Sequence, residues 1–208
     1  MTLNQMQVER VPNQAELVAR AEALLPGLHE RAWAAEESRR LSDDTVGEFR
    51  AAEFHKIPPA LVGMANGMAE AVRRTLIGKK ALFSGKLQVE RVANQMKLTE
   101  ALTDIHAAEL IMHHQLTELM RWGEAGAPPS TLDALSSQRD ASYVSRLMGK
   151  VANNNLALMS GATSINLSNP IQRYQRDIND GVTHVSLVWE EAVENYGRAL
   201  WELPGKAR

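Results

Sequence analysis

Cysteine is absent from the sequence, which rules out disulfide bonds, thiolate nucleophiles and thiolate metal ligands. Aromatic residues reach only 5%, while alanine, leucine, glutamate and methionine are plentiful, a balance that favours helix over strand. Strand-like alternation bounded by turns is missing, and so is any internal repeat. No apolar run is long enough to span a bilayer, and Met1 to Val11 is polar rather than signal-like. A soluble, cytoplasmic protein is therefore expected. Net charge is also small: the formal total is −2, with no block of like charges, so neither nucleic acid nor a membrane is indicated as a partner.

What is present, over 208 residues, is helical periodicity broken by short turns. Asn13 with Glu16 has the form of a capping box, followed by Leu17, Ala21, Leu24, Leu25 and Leu28 at helical spacing. Pro26 interrupts that run and predicts a kink or the start of a second helix carrying Ala32 and Trp33. Ser42, with Asp43 and Asp44, caps a short helix through Val46, Phe49 and Phe54. Pro59 then opens a helix from Ala60 to Leu76, stopped by Gly78. Gly63 and Gly67 on it either admit a close neighbour or merely weaken it. A polar loop with Lys79, Lys80, Ser84, Gly85 and Lys86 precedes a long helix from about Val89 to Trp122. Ser130 with Asp133 caps the next, which runs to Gly161. Val185 to Leu203 forms a last helix or continues the one before it. Short turns between long amphipathic helices imply an all-α, up-and-down bundle. The division expected is an N-terminal hairpin over residues 1–57 and a bundle over 58–208.

The stretch richest in chemistry is Ser160 to His184, SGATSINLSNPIQRYQRDINDGVTH. Asn169 is placed as an N-cap and Pro170 as the first helical residue. Arg173, Asp177, Asp180 and His184 then follow at spacings of four, three and four, which predicts one shared helix face. A carboxylate one turn before a histidine orients the ring and favours its charged form, making His184 a candidate acid or base. The plainer alternative is a solvated face with weak ion pairs.

This stretch resembles the C-terminal signature of the oxygenase components of two-component flavin-dependent aromatic monooxygenases, which share the acyl-CoA dehydrogenase fold. The residues that carry the likeness are Ser160 to Ala162, Pro170 to Arg173, Arg176 with Asp177, and His184. Within the family the likeness is greatest to the hydroxylase of phenolic secosteroids, with the hydroxyphenylacetate hydroxylases next. The resemblance implies a reduced flavin, FMN or FAD, delivered by a separate flavin reductase, and hydroxylation of a phenolic or aromatic small molecule by oxygen. It makes His184 the base or hydrogen-bond partner near the reacting centre. It makes Arg173, Arg176 and Asp177 cofactor-side or subunit-contact residues, and Gln95 a residue that reaches flavin across a subunit boundary. It also implies a homo-oligomer, dimer or tetramer, built through bundle faces.

The likeness has a gap. It covers Ala15 to Ile57 and resumes at Pro59, so the rest of the N-terminal helical domain and the β-domain of the family are missing between His55 and Ala60. A natural or designed miniature, a degenerate paralogue, and a longer chain with an omitted segment all fit that gap. The fold implied is thus the N-terminal helical hairpin plus the C-terminal four-helix domain. Catalysis depends on whether the missing part is supplied or dispensable. The alternative function is a non-catalytic oligomerising helical module that has lost the flavin pocket. A third reading starts from His106, Glu109 and His113, stepping by three and four on the long helix as metal ligands do. No second segment supplies a matching Glu-x-x-His, so no metal is assigned.

Overall fold

The computed structural model describes residues 14–51, 57–126 and 128–204, which form helices joined by turns. The Asn13 cap and Phe54 lie outside these residues. The chain divides into two compact units, residues 1–56 and 57–208.

In the first unit, α1 spans Gln14–Ser38 and α2 spans Asp43–Ala51. Helix α1 runs unbroken through Pro26, so no second helix begins there. Proline removes one ladder bond, to the carbonyl of Glu22, but both residues stand on the exposed side, open to solvent. The cap of α2 is as expected: Ser42 Oγ accepts the N–H of Thr45 at 3.2 Å. Buried Thr45 also accepts a hydrogen bond from Arg31 Nε at 3.0 Å, and Arg31 pairs with Glu48, so one guanidinium fastens α2 to α1.

The second unit contains α3 (Ile57–Leu76), α4 (Val92–Ala125), α5 (Thr131–Lys150), α6 (Ala157–Ser160), α7 (Pro170–Val182) and α8 (Trp189–Leu200). Helices α5 and α6 are one rod interrupted by a π turn at Val151–Leu156. Its first turn is locked by the expected capping box, Ser130 and Asp133 each bonding the other's backbone N–H. Four rods, α3, α4, α5–α6 and α7, share one core that includes Leu61, Met68, Ile105, Met148, Ile171 and Ile178. Helix α8 lies along α5, held by a tilted Tyr143–Trp189 pair 5.7 Å apart and by Arg139 over the Tyr196 ring at 4.3 Å. Among the described residues the only strand-like pairing is an isolated bridge, Lys80 to Leu87. No described helix is long and apolar enough to cross a membrane.

The two glycines of α3 differ. A Cβ on Gly67 would lie 2.8 Å from the Tyr174 ring, so α7 approaches α3 only because that position has no side chain. Gly63 faces open space.

Candidate functional site

Two loops meet at one end of the second unit. The first, residues 77–91, is closed by Gln88 N–H to Lys79 O (2.7 Å) and Ala81 N–H to Lys86 O (2.8 Å). The second, residues 161–169, is held by Ser164 Oγ donating to Gly161 O (2.6 Å) and Asn169 Nδ2 to Thr163 O (3.3 Å). Lys79 Nζ donates to Ser160 O at 3.1 Å and ties the two together. Gly161, in the SGA turn, has φ +75° and ψ 180°, a region essentially closed to side-chain-bearing residues. That conformation is what the motif's glycine supplies.

These loops are hydrogen-bonded within themselves but not sheathed in protein. Phe83 is 99% exposed, Leu82 90%, and Ile165 and Leu167 75% each. Exposed Lys80 and Lys86 flank the first pair. Each loop thus presents two exposed apolar side chains, the first with cations on either side in sequence. Just before these loops, Glu70 accepts from Arg73 Nε (2.7 Å) and Arg74 Nε (2.5 Å). The hydrogen bonds from Arg73 and Arg74 hold its carboxyl down to about 2.

Helix α7 leaves the second loop with Asn169 Oδ1 accepting the N–H of Ile171 at 3.0 Å and Pro170 in its first turn. Arg176 pairs with neighbouring Asp177 at 3.1 Å, both partly exposed on the outer side of the helix. Arg173 is half-buried. Gln95, in the first turns of α4, donates to Val89 O at 3.0 Å and so braces the end of the first loop.

The expected four-residue face of α7 is not formed. The helix ends at Val182, and Thr183 Oγ1 closes it by donating to Asp180 O at 2.8 Å. Val182, Thr183 and Val185 are β-branched and follow a glycine, a stop signal that the charge spacing masked. His184 is an exposed cap of the next turn, its Nδ1 accepting the N–H of Ser186 at 3.2 Å and sharing a 2.8 Å bond with Ser186 Oγ. A tighter turn, with His184 N–H on Gly181 O at 3.3 Å, carries the chain from the end of α7 to it. Thirteen helical residues, about 20 Å, lie between the Asn169 cap and this end of α7. The last helix is likewise separate, Trp189–Leu200, and does not continue α7.

The histidines of α4 are not gathered. His106 Nδ1 stands 3.7 Å from Glu109 Oε2, while Glu109 Oε1 accepts from Asn66 on α3 at 2.8 Å. Among the described residues no group of three or more His, Asp or Glu is placed to hold a metal ion. A feature that periodicity missed is the π turn, although three successive asparagines, Asn153 to Asn155, inside a helical pattern mark the place.

Comparison with known proteins follows this geometry. The chain is 28% identical over 149 residues to a pigment production hydroxylase of a Rhodococcus species, covering 72% of this chain and 38% of that protein. Its structure resembles 3-HSA hydroxylase from Rhodococcus sp. RHA1, with a TM-score of 0.64 and 26% identity over 73% of this chain and 39% of the other. It also resembles XiaF from Streptomyces sp., solved with FADH2 and glycerol, with a TM-score of 0.68 and 22% identity over 73% and 38% of the two chains. The chain thus spans less than two-fifths of the length of these relatives. A family model described as acyl-CoA dehydrogenase, C-terminal domain, matches residues 56–189, well over half of the sequence. The all-α bundle is therefore that of a known lineage: the chain belongs to the acyl-CoA dehydrogenase C-terminal domain family.

Proposed function

We propose that this chain carries the helical part of the oxygenase component of a two-component flavin-dependent monooxygenase, which hydroxylates a phenolic or aromatic small molecule. The observation that carries the reading is the pair of loops joined by Lys79 and Ser160, hydrogen-bonded in backbone yet presenting bare Leu82, Phe83, Ile165 and Leu167. The likeness to two hydroxylases points the same way. Bound reduced flavin, FAD or FMN, would supply the oxygen chemistry.

The chain's own residues have simpler tasks. Phe83 and Leu82 cover an apolar ring face and keep water from it. Lys80 and Lys86, with Arg173 and Arg176 on α7, offer charge-assisted bonds to phosphate oxygens. Asp177 orients Arg176, and Gln95 holds the first loop in place from below. Ser186 engages Nδ1 of His184 and leaves Nε2 as the ring nitrogen open to a phenolic oxygen, as base or hydrogen-bond partner. The reading includes a flavin reductase as partner and a homo-oligomer, dimer or tetramer, in a cytoplasmic setting. It places a second wall outside this chain's described residues, in keeping with the short span over the relatives.

A second reading has its own observation. Leu102, Leu110, Leu116 and Met120 on α4 are each about half exposed, and His184 stands at the surface, as a non-catalytic oligomerising module would have them. One experiment separates the two. Reduced FMN or FAD is mixed anaerobically with the protein, oxygen is admitted, and hydroxylated phenol and hydrogen peroxide are both measured. Hydroxylation, or flavin retained through gel filtration, supports the oxygenase reading. Peroxide alone with no retained flavin supports the module.

A further inference from the structure

The π turn carries a side-chain cluster that neither the fold nor the loop site requires. Asn153 sits in the turn with all four of its hydrogen-bonding positions engaged. Its Nδ2 donates to Gly149 O (2.9 Å) and to Asn179 Oδ1 (2.7 Å). Its Oδ1 accepts from Gln175 Nε2 (2.9 Å) and from Asn179 Nδ2 (3.3 Å). Gln175 and Asn179 lie one turn apart on α7, so one amide grips that helix at two levels.

The turn itself is anchored from the other side. Lys97 on α4 donates through Nζ to Asn154 O (3.2 Å), and Asn155 Nδ2 donates to Lys97 O (3.3 Å). A π turn inserts one extra residue, and here the widened ladder appears in the bond from Ala157 N–H to Ala152 O. Gly149, one turn before Asn153, lies against Val182 of α7, so Asn153 is on the side of the rod that faces that helix. Helix α7 is thus seated by apolar packing at Ile171 and Ile178 and by Tyr174 in the notch of Gly67. Those contacts resist separation. The amide cluster adds direction, because hydrogen bonds fix both the roll and the axial register of a helix.

We infer that Asn153 is a positioning residue: through Gln175 and Asn179 it fixes the rotation of α7, and with it the aim of Arg173, Arg176 and Asp177 on the outer face. The inference rests on the proposed flavin reading for its ligand, but the clamp stands on geometry alone.

The test uses the full chain with Asn153→Ala, Gln175→Ala and the double variant. Amide hydrogen exchange is followed by helix, and affinity for reduced FMN and reduced FAD is measured anaerobically by ultrafiltration. For Asn153→Ala, exchange in α7 should rise about tenfold while α3 and α4 stay unchanged, the loss expected for hydrogen bonds at a half-buried site. Reduced-flavin affinity should fall by about the same factor, and the melting midpoint by a few degrees. The double variant should be little worse than Asn153→Ala, because the bonds are shared. Unchanged exchange in α7 overturns the clamp, and so does a rise of equal size in every helix, which would mark a plain stability role. If the unaltered protein binds neither flavin, the proposed function fails while exchange in α7 still decides the clamp. If it binds flavin and Asn153→Ala binds equally well, the positioning role is refuted with the function intact.

Discussion

The seam between α3 and α7 and the loop end beside it use the same kinds of side chain to opposite effect. In the seam, Ile171 and Ile178 are fully buried, Leu61 is 1% exposed, and a missing Cβ at Gly67 is filled by the Tyr174 ring. At the loop end, Phe83 and Leu82 face outward, and order comes from backbone hydrogen bonds and the strained Gly161 turn. One region is held by packing, in which any change of volume is felt. The other is held by its backbone, which leaves its apolar side chains unemployed in the fold. Apolar residues kept on a hydrogen-bonded scaffold without contributing to stability are what a binding surface requires.

Substitutions can break or sharpen this contrast. The largest effect belongs to the seam: Ile178→Ala should cost about 2–5 kcal/mol in urea unfolding, through lost burial and an unfilled cavity. A loss well under that range would show the seam to be looser than its geometry. Gly67→Ala comes next, at about 1–3 kcal/mol, since the new methyl displaces the Tyr174 ring. Its control, Gly63→Ala, meets nothing and should instead stabilise α3 by up to about 1 kcal/mol through helix propensity. If both glycines respond alike, the close approach is not what sets Gly67 apart.

For the loop end the prediction is reversed. Phe83→Ser should move stability by no more than about 0.5 kcal/mol, yet abolish retention of reduced flavin on gel filtration. A large stability loss with flavin retention intact would make Phe83 structural. The smallest effect is electrostatic. Glu70 sits at about 2 when folded against 4.5 unperturbed, so its contribution is complete above pH 4.5 and fades as pH falls towards 2. Melting midpoints of the protein and of Glu70→Gln should therefore differ at neutral pH and converge on acidification. Curves that run parallel through that window would show the Arg73 and Arg74 contacts to be idle.

Much of this was legible from residue order. The Ser130–Asp133 capping box, the Asn169 cap with Pro170 behind it, and the Ser42 cap are local hydrogen-bond patterns, fixed by residues three or fewer apart. Charge spacing on α7 was misleading for a related reason. Helical periodicity places four residues on one face only while the helix lasts, and Thr183 ends it before His184. The chain turns there so that Leu187, 6% exposed, can reach the core, a demand set by other helices. Gln95, Arg173, Arg176 and Asp177 keep the helical positions expected of them.

By itself the sequence determined the helical class, most helix starts and stops, and the glycine in the SGA turn, because propensity, capping and backbone sterics act within a few residues. Only the tertiary structure decided which glycine of α3 receives a ring, where the α5 rod takes its π turn, and that the Asn153 amide meets Gln175 and Asn179 across 22 and 26 residues. Those outcomes depend on volumes and hydrogen-bond partners contributed by distant segments, and such partners exist only once the helices have packed.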